Sequence, residues 1–358
     1  MADMHPVAIQ RDFSRSSEFQ PGDIIDGRYR IHRKLADGGM GSVFLAEHML
    51  IKRRVAIKLL HAELAADRSM VRRFLQEASA AGTLGHPHIV ESTDMGFTRE
   101  HVPYIVFEYL EGCLLTQEIR RLGTMPVGRT LVIARQIASA LEAAHNADIA
   151  HLDLKSDNIF LTNRGGAADH AKLLDFGISR FMELDAEATQ PALLMGTPEF
   201  MAPEQVTRPE MVDCRADIYA FGVLLYEMLV GHCPFASDDP RRVLYQIVYE
   251  APPPLDRPVP LALERLLFDG LLVKSRKDRL QSMADVIAIL DPLITERISV
   301  PYALASFDEP ELAYGSASRI ALPRPSLPAP ALQPANEPGF DDEPESLPAP
   351  PWEVEVWP

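Results

Sequence analysis

The stretch 149–161 reads IAHLDLKSDNIFL. It sets Asp153, Lys155 and Asn158 two and three residues apart between the apolar flanks Ile149-Ala150 and Ile159-Phe160-Leu161. A plain surface loop has no need of such flanks. A buried segment does not carry an acid, an ammonium group and an amide unless they have partners, because an unpaired polar group is costly in an apolar environment. The pattern predicts a loop that holds polar groups at the edge of a core.

On its N-terminal side, from about Pro21 to Tyr109, short β-type runs recur: YRIHRKL, GSVFLAEHM, VAIKLL, IVESTDMGF and YIVFEYL. One helical pattern interrupts them near 68–81, with Val71, Phe74, Leu75 and Ala78 on one face. After Leu110 helical periodicity takes over. Ala134, Ile137, Ala138, Leu141, Ala144 and His145 form one stripe, and the run IYAFGVLLYEMLV (218–230) reads as a thoroughly buried helix. Further helical patterns follow at 240–250, 260–273 and 283–296. A strand-rich half before a helix-rich half predicts an α+β fold of two lobes, a small β-rich one over about 21–110 and a larger helical one over about 111–297.

The 358 residues are 47% hydrophobic and 24% charged, an ordinary globular balance. The net charge of −16 argues against nucleic acid or an anionic membrane surface as the main partner. Ten acidic and two basic residues after 300 supply half of that charge, and 13 of the 30 prolines lie there too. Residues 298–358 are therefore expected to be an acidic, proline-rich disordered tail, and residues 1–20 a flexible lead-in. Within the tail, PWEVEVWP (351–358) holds both tryptophans and alternates like a strand. It is either ordinary tail or a short docking peptide. Three widely spaced cysteines, Cys113, Cys214 and Cys233, suit a reducing compartment. MADMHPVAIQRDF lacks a signal-peptide core, and the 218–230 run contains Glu227 and is too short to cross a bilayer. A soluble cytoplasmic protein without a membrane span is expected.

Four more segments carry polar chemistry. LADGGMGSVF (35–44) puts Gly38, Gly39 and Gly41 between two strand-like runs, where they can make a plain hairpin or let backbone N–H groups approach phosphate oxygens. In VAIKLL, Lys58 either snorkels to solvent or holds its ammonium over a phosphate, which would need a carboxylate such as Glu77 to orient it. LLDFGISR (173–180) places Asp175 at a strand end, as a turn residue or a hard oxygen ligand for Mg²⁺. GTPEFMAPEQ (196–205) brings Glu204 ahead of the apolar helix, where Arg279 could pair with it.

Each segment is ambiguous alone, but their order is not. Glycine loop, strand lysine, helix glutamate, HxDLKxxN, DFG and APE follow one another at domain-scale spacing. Over about Tyr29 to Leu293 the sequence resembles the protein kinase family, most of all the bacterial serine/threonine kinases of the eukaryotic-like type. The resemblance implies a bilobal protein-kinase fold over 21–297 and an ATP-dependent serine/threonine protein kinase, whose protein substrates include itself. Asp153 would accept or orient the proton of the attacking hydroxyl. Lys155 would neutralise the transferred phosphoryl, and its position suits Ser/Thr substrates. Asn158 and Asp175 would hold Mg²⁺, with Mn²⁺ as a substitute, and Lys58 paired with Glu77 would position the α- and β-phosphates. Leu35, Ala36, Asp37, Gly38, Gly39, Met40, Gly41 and Val43 would cover the nucleotide. Ala56, Phe107 as gatekeeper, Glu108, Leu110 and Phe160 would complete the pocket. Thr197 belongs, by resemblance, to the loop that binds substrate and touches the catalytic aspartate.

Two departures stand out. Ala36 replaces the first loop glycine, and Leu152 replaces the arginine that usually precedes the catalytic aspartate and receives an activation-loop phosphate. Activity is therefore expected not to depend on phosphorylation of Thr189, the candidate loop site. Cys113, just past the predicted hinge, is an ordinary or a reactive thiol. The rival to an active kinase is a kinase-fold scaffold without useful catalysis; such relatives usually lose the lysine or one of the aspartates, all retained here. A small-molecule phosphotransferase is weaker, because the APE segment and its distant arginine are both present. The chain carries no membrane span or outer sensor domain, so input is expected from the cytoplasm or through the tail.

Overall fold

The computed structural model describes residues 19–164, 167–175 and 197–299, without the side chains of 77–81, 164, 167–168 and 296–299. The strands β1 (Ile24–Ile25), β2 (Tyr29–Asp37), β3 (Gly41–His48), β4 (Arg54–Leu60), β5 (Ser92–Phe97) and β6 (Pro103–Glu108) form one antiparallel sheet in the order β1-β2-β3-β4-β6-β5. Period-two alternation gives this sheet two working faces. Phe44, Ala46, Val55, Ile57, Leu59 and Val106 point to one side and pack with Ile25, Tyr29 and Ile31 into an outer core. On the opposite side Leu60, Ile105 and Phe107 meet Phe74 of helix α1 (Arg68–Leu84). Cross-strand register sets Val43 opposite Lys58 and Ala56 opposite Phe107, so these four share that second side.

Local chemistry fixes the ends of α1. The Asp67 side chain accepts the Ser69 amide proton at 2.7 Å as an N-cap, and Gly85 ends the helix at φ 51°, a left-handed conformation suited to glycine. Phe74 is fully buried and ties the helix to the sheet.

The second lobe opens with a smaller sheet of β7 (Gly112–Leu114), β8 (Ile159–Arg164) and β9 (Ala167–Leu173). Helices α2 (Leu115–Leu122) and α3 (Val127–His145) follow β7. Beyond the sheet come α4 (Pro203–Thr207), α5 (Arg215–Val230), α6 (Pro240–Tyr249), α7 (Leu261–Arg265) and α8 (Met283–Ser299). Helix α5 is the centre of this lobe: Ile218, Phe221, Val223, Leu224, Leu225, Met228 and Leu229 are all fully buried. Each such side chain contributes about 1.5–3 kcal/mol of transfer free energy. Gly222 has no room for a side chain, since a Cβ there would sit 2.8 Å from Leu271 Cβ.

The α+β, two-lobed expectation holds, with local corrections. Strands are not confined to the first half, because β7–β9 belong to the helical lobe; AADHAKL is too mixed to advertise a strand. The eight-residue α2 is too short to stand out from the pattern around it. Within 89–97 pairing begins only at Ser92, while Ile89 bridges to Leu173. The pattern over 260–273 is α-helical only to Arg265 and continues as a π-helical turn, Leu266–Leu271. Thr189, the tail and its PWEVEVWP segment lie outside the described residues.

Candidate active site

The stretch 149–161 forms a loop held from below by one buried acid. Asp217, in the first turn of α5, is fully buried. Its Oδ2 accepts the His151 amide proton and its Oδ1 the Leu152 amide proton, each at 2.7 Å. His145 Nε2 at the end of α3 lies 2.8 Å from Oδ2. These contacts satisfy backbone donors that would otherwise be orphaned in the core. Leu152 sits at φ 61°, sparsely populated for a branched side chain, and its side chain is buried in the core of the helical lobe. His151 is buried, and desolvation lowers its pKa, so it is neutral. Sequence alone assigns Asp217 no role; an acid at the start of an otherwise apolar helix is the signal that marks it.

Above this anchor the three polar groups of the loop converge. Lys155 Nζ donates to Asp153 Oδ2 at 2.7 Å. Asn158 Nδ2 donates to the Asp153 carbonyl at 2.8 Å and to Oδ2 at 3.1 Å. The acid, the ammonium and the amide partner one another, which is how they stand between apolar flanks. The Asn158 carbonyl accepts the Leu174 amide proton at 2.8 Å, which brings Asp175 beside the loop.

Lys58 on β4 reaches the same place from the other lobe. Its Nζ lies 3.0 Å from Asp175 Oδ2; the lysine is nearly buried and the acid half-exposed. Glu77 lies on α1, but its side chain is outside those described. Leu35, Ala36 and Asp37 end β2, Gly41 and Val43 begin β3, and Gly38, Gly39 and Met40 form the turn between them. A Cβ on Gly41 would lie 2.1 Å from the Leu59 carbonyl oxygen, so only glycine fits there. Asp37 turns its carboxylate toward Ser42, Lys34 and His61.

Phe107 is buried at the end of β6, next to Glu108 and ahead of Leu110, while Phe160 lies on β8. The Glu108 side chain is engaged away from the strand: its Oε1 accepts from Lys172 Nζ at 2.6 Å and from the Glu91 amide at 3.0 Å. Thr197 immediately precedes the short helical turn Pro198–Phe200. Farther down, Arg279 and Glu204 form a buried two-pronged pair at 2.8 and 2.9 Å. Cys113 lies on β7, where burial raises its thiol pKa.

The residues at the loop fit a hard divalent cation. Asn158 spends its Nδ2 on Asp153 while its Oδ1 takes no hydrogen bond among the described residues, and Asp175 supplies carboxylate oxygens next door. Oxygen donors of this type suit Mg²⁺. Two ammonium groups, two acids and an amide thus gather where a sheet lobe meets a helical lobe.

That architecture is the protein kinase fold. The protein kinase domain pattern matches residues 29–288, and the chain belongs to the protein kinase family. It is 40% identical over 274 residues to the serine/threonine-protein kinase pkn2 of Myxococcus xanthus, covering 74% of this chain and 32% of that protein. It is 35% identical over 307 residues to the serine/threonine-protein kinase PknB of Mycobacterium leprae, covering 84% of this chain and 48% of that one. The chain therefore spans about a third to a half of the length of these relatives. Among solved structures, a cysteine-to-alanine mutant of the PknI kinase domain of Mycobacterium tuberculosis superposes with a TM-score of 0.58 at 29% identity, over 78% of this chain and 99% of that one. Among the described residues no helix is long and apolar enough to cross a membrane.

Proposed function

We propose that the chain is an ATP-dependent serine/threonine protein kinase with its catalytic domain over 21–297. The observation that carries this reading is the Lys58–Asp175 contact at 3.0 Å beside the Asp153–Lys155–Asn158 cluster. The glycine hairpin covers ATP, Val43, Ala56 and Phe160 enclose the adenine, and the Glu108–Leu110 backbone reads its edge. Lys58 holds the α- and β-phosphates, oriented by Glu77. A substrate Ser or Thr hydroxyl attacks the γ-phosphorus, the bond from that phosphorus to the bridging oxygen breaks, and ADP leaves. Asp153 takes up the hydroxyl proton, Lys155 neutralises the phosphoryl in flight, and Thr197 helps seat the substrate. Asn158 and Asp175 would hold Mg²⁺ or Mn²⁺, which would offset phosphate charge. The catalysis is positioning and electrostatics, with no covalent enzyme intermediate.

The protein substrates include the chain itself, the site of action is the cytoplasm, and activity is independent of a phosphate on Thr189. Segment 351–358 is either ordinary tail or a short docking peptide; because it holds both tryptophans, a fully water-like emission spectrum in the folded protein would exclude docking. Transfer of radiolabelled γ-phosphate to a generic protein tests the central proposal. Asp153→Asn is expected to lower kcat by about 10²–10⁴-fold with nucleotide binding retained. Nucleotide binding without transfer by the unaltered chain would favour the scaffold alternative.

A further inference from the structure

The hairpin over the nucleotide site is fastened from its outer side. Asp37 and Ser42 are the last cross-strand pair before the glycine turn. The Ser42 hydroxyl donates to Asp37 Oδ1 at 2.5 Å, and Lys34 Nζ lies 2.9 Å from Asp37 Oδ2. His61, the residue after β4, brings its Nε2 to 3.4 Å from Asp37 Oδ1 and 3.5 Å from Ser42 Oγ. The His61 amide donates to the Met40 carbonyl at the turn itself, at 2.9 Å. Three strands are thereby joined at one point.

The face matters as much as the contacts. Ser42 is two residues from Phe44, which packs in the outer core, so both lie on the side of β3 away from Val43 and Lys58. Ser42, Asp37 and His61 line a cavity of about 300 Å³ on that outer side, together with Phe44, Leu59 and Val102. They are thus placed behind the hairpin and cannot act by touching a nucleotide beneath it. What they can do is restrict the turn. Gly38 and Gly39 have no side chains to pack, and a Cβ added at Gly39 would meet nothing within 4 Å. An unfastened glycine turn must give up that freedom when it closes on a ligand, which weakens binding.

We propose that Asp37, Ser42 and His61 form a latch that holds the glycine hairpin at binding height before nucleotide arrives, making them positioning residues for the triphosphate. The proposal deepens the kinase assignment and rests on it. Lys34 and the Ser42 hydroxyl neutralise and occupy Asp37, so its carboxylate does not repel the phosphates through the turn. Asp37 has its pKa held down at about 2, first by the Ser42 hydrogen bond and then by Lys34, so its carboxylate stays ionised throughout the physiological range.

The test is calorimetric titration of the full chain with Mg-ATP. Ser42→Ala and Asp37→Ala are each expected to raise Kd about five-fold, the order of one net hydrogen bond. The double variant is expected to be no weaker than either single one, because both break the same latch. Ser42→Thr, which keeps the hydroxyl, is expected to bind as the unaltered chain does. In turnover assays KM for ATP rises while kcat stays within about two-fold, and thermal melting shows that each variant is folded; a merely structural role would lower kcat and the melting temperature together. Unchanged Kd in both single variants, or losses that add in the double variant, would overturn the latch alone. Absence of nucleotide binding by the unaltered chain would overturn the kinase assignment beneath it.

Discussion

The Leu152 amide donates to Asp217 Oδ1 across 2.7 Å, joining the 149–161 loop to the first turn of the central helix α5. The neighbouring His151 amide donates to the other carboxylate oxygen, so one side chain sets two consecutive peptide groups directly before Asp153. Asp217→Asn keeps the shape but turns an NH₂ toward one of those amide donors, leaving it unsatisfied in the core. A loss of about 2–4 kcal/mol in urea unfolding is expected, with kcat reduced at least about ten-fold. Because the glycine hairpin between β2 and β3 belongs to the other lobe, Kd for Mg-ATP is expected to change little. Wild-type stability and turnover in this variant would refute the anchoring role.

Leu152 bears on regulation as well. Its side chain is buried among apolar groups of the helical lobe, so this position presents no cation to a phosphorylated loop. A phosphate on Thr189 would therefore lack the partner that orders such loops through charge-assisted hydrogen bonds. Thr189→Ala is expected to retain turnover within about two-fold of the unaltered chain, the spread expected when no charge-assisted bond is lost. Dephosphorylated wild-type protein is expected to show no lag in phosphate transfer. Abolished activity with an unaltered melting curve would disprove this independence.

Much of this was legible in the sequence, for identifiable reasons. Long periodic segments such as 218–230 declare their burial, and Lys58, Asp153, Asn158 and Asp175 each interrupt an apolar run where a polar group needs a purpose. The Arg279–Glu204 pair was readable as opposite charges near apolar helices. The role of Asp217 was not: an acid opening an apolar helix marks the position, but it binds backbone amides, and a peptide group leaves no trace in a residue pattern. The Asp37–Ser42–His61 contacts are hidden for a related reason: they depend on strand register, and no propensity reports which residues end up opposite one another. Short elements such as α2 and β9 carry too few residues to establish a period.

The pair of Arg279 and Glu204 makes a stability prediction. Arg279 is fully buried, with donors also directed at the Val273 and Arg215 carbonyls, and Glu204 occupies its other side. Removing one partner strands a charge in the core. Glu204→Ala is expected to cost about 3–5 kcal/mol, read from the denaturant midpoint at an unchanged slope. Arg279→Lys keeps the charge but loses the fork, so it is expected to be substantially destabilised too. Near-native stability in both would mean that the pair is dispensable to the fold.

Glu227 gives a pH prediction whose sign is opposite to that of an ordinary ion-paired acid. It lies on α5, where burial pushes its pKa up to about 7; Ser156 Oγ donates to Oε1 at 3.1 Å, and Oε2 is buried without a partner among the described residues. An unfolded chain releases this proton near the ordinary glutamate value of 4.5, whereas the folded chain holds it until about 7. Between those pH values the folded state binds more protons, so its stability falls as pH rises and the loss is complete above about 7. Allowing for partial exposure, the loss is on the order of 2 kcal/mol. Glu227→Gln removes the titration, so the variant is expected to gain stability relative to the wild type as pH rises from about 4.5 to about 8. Urea unfolding across that range measures it, and parallel stability curves for the two proteins would show that Glu227 does not titrate abnormally.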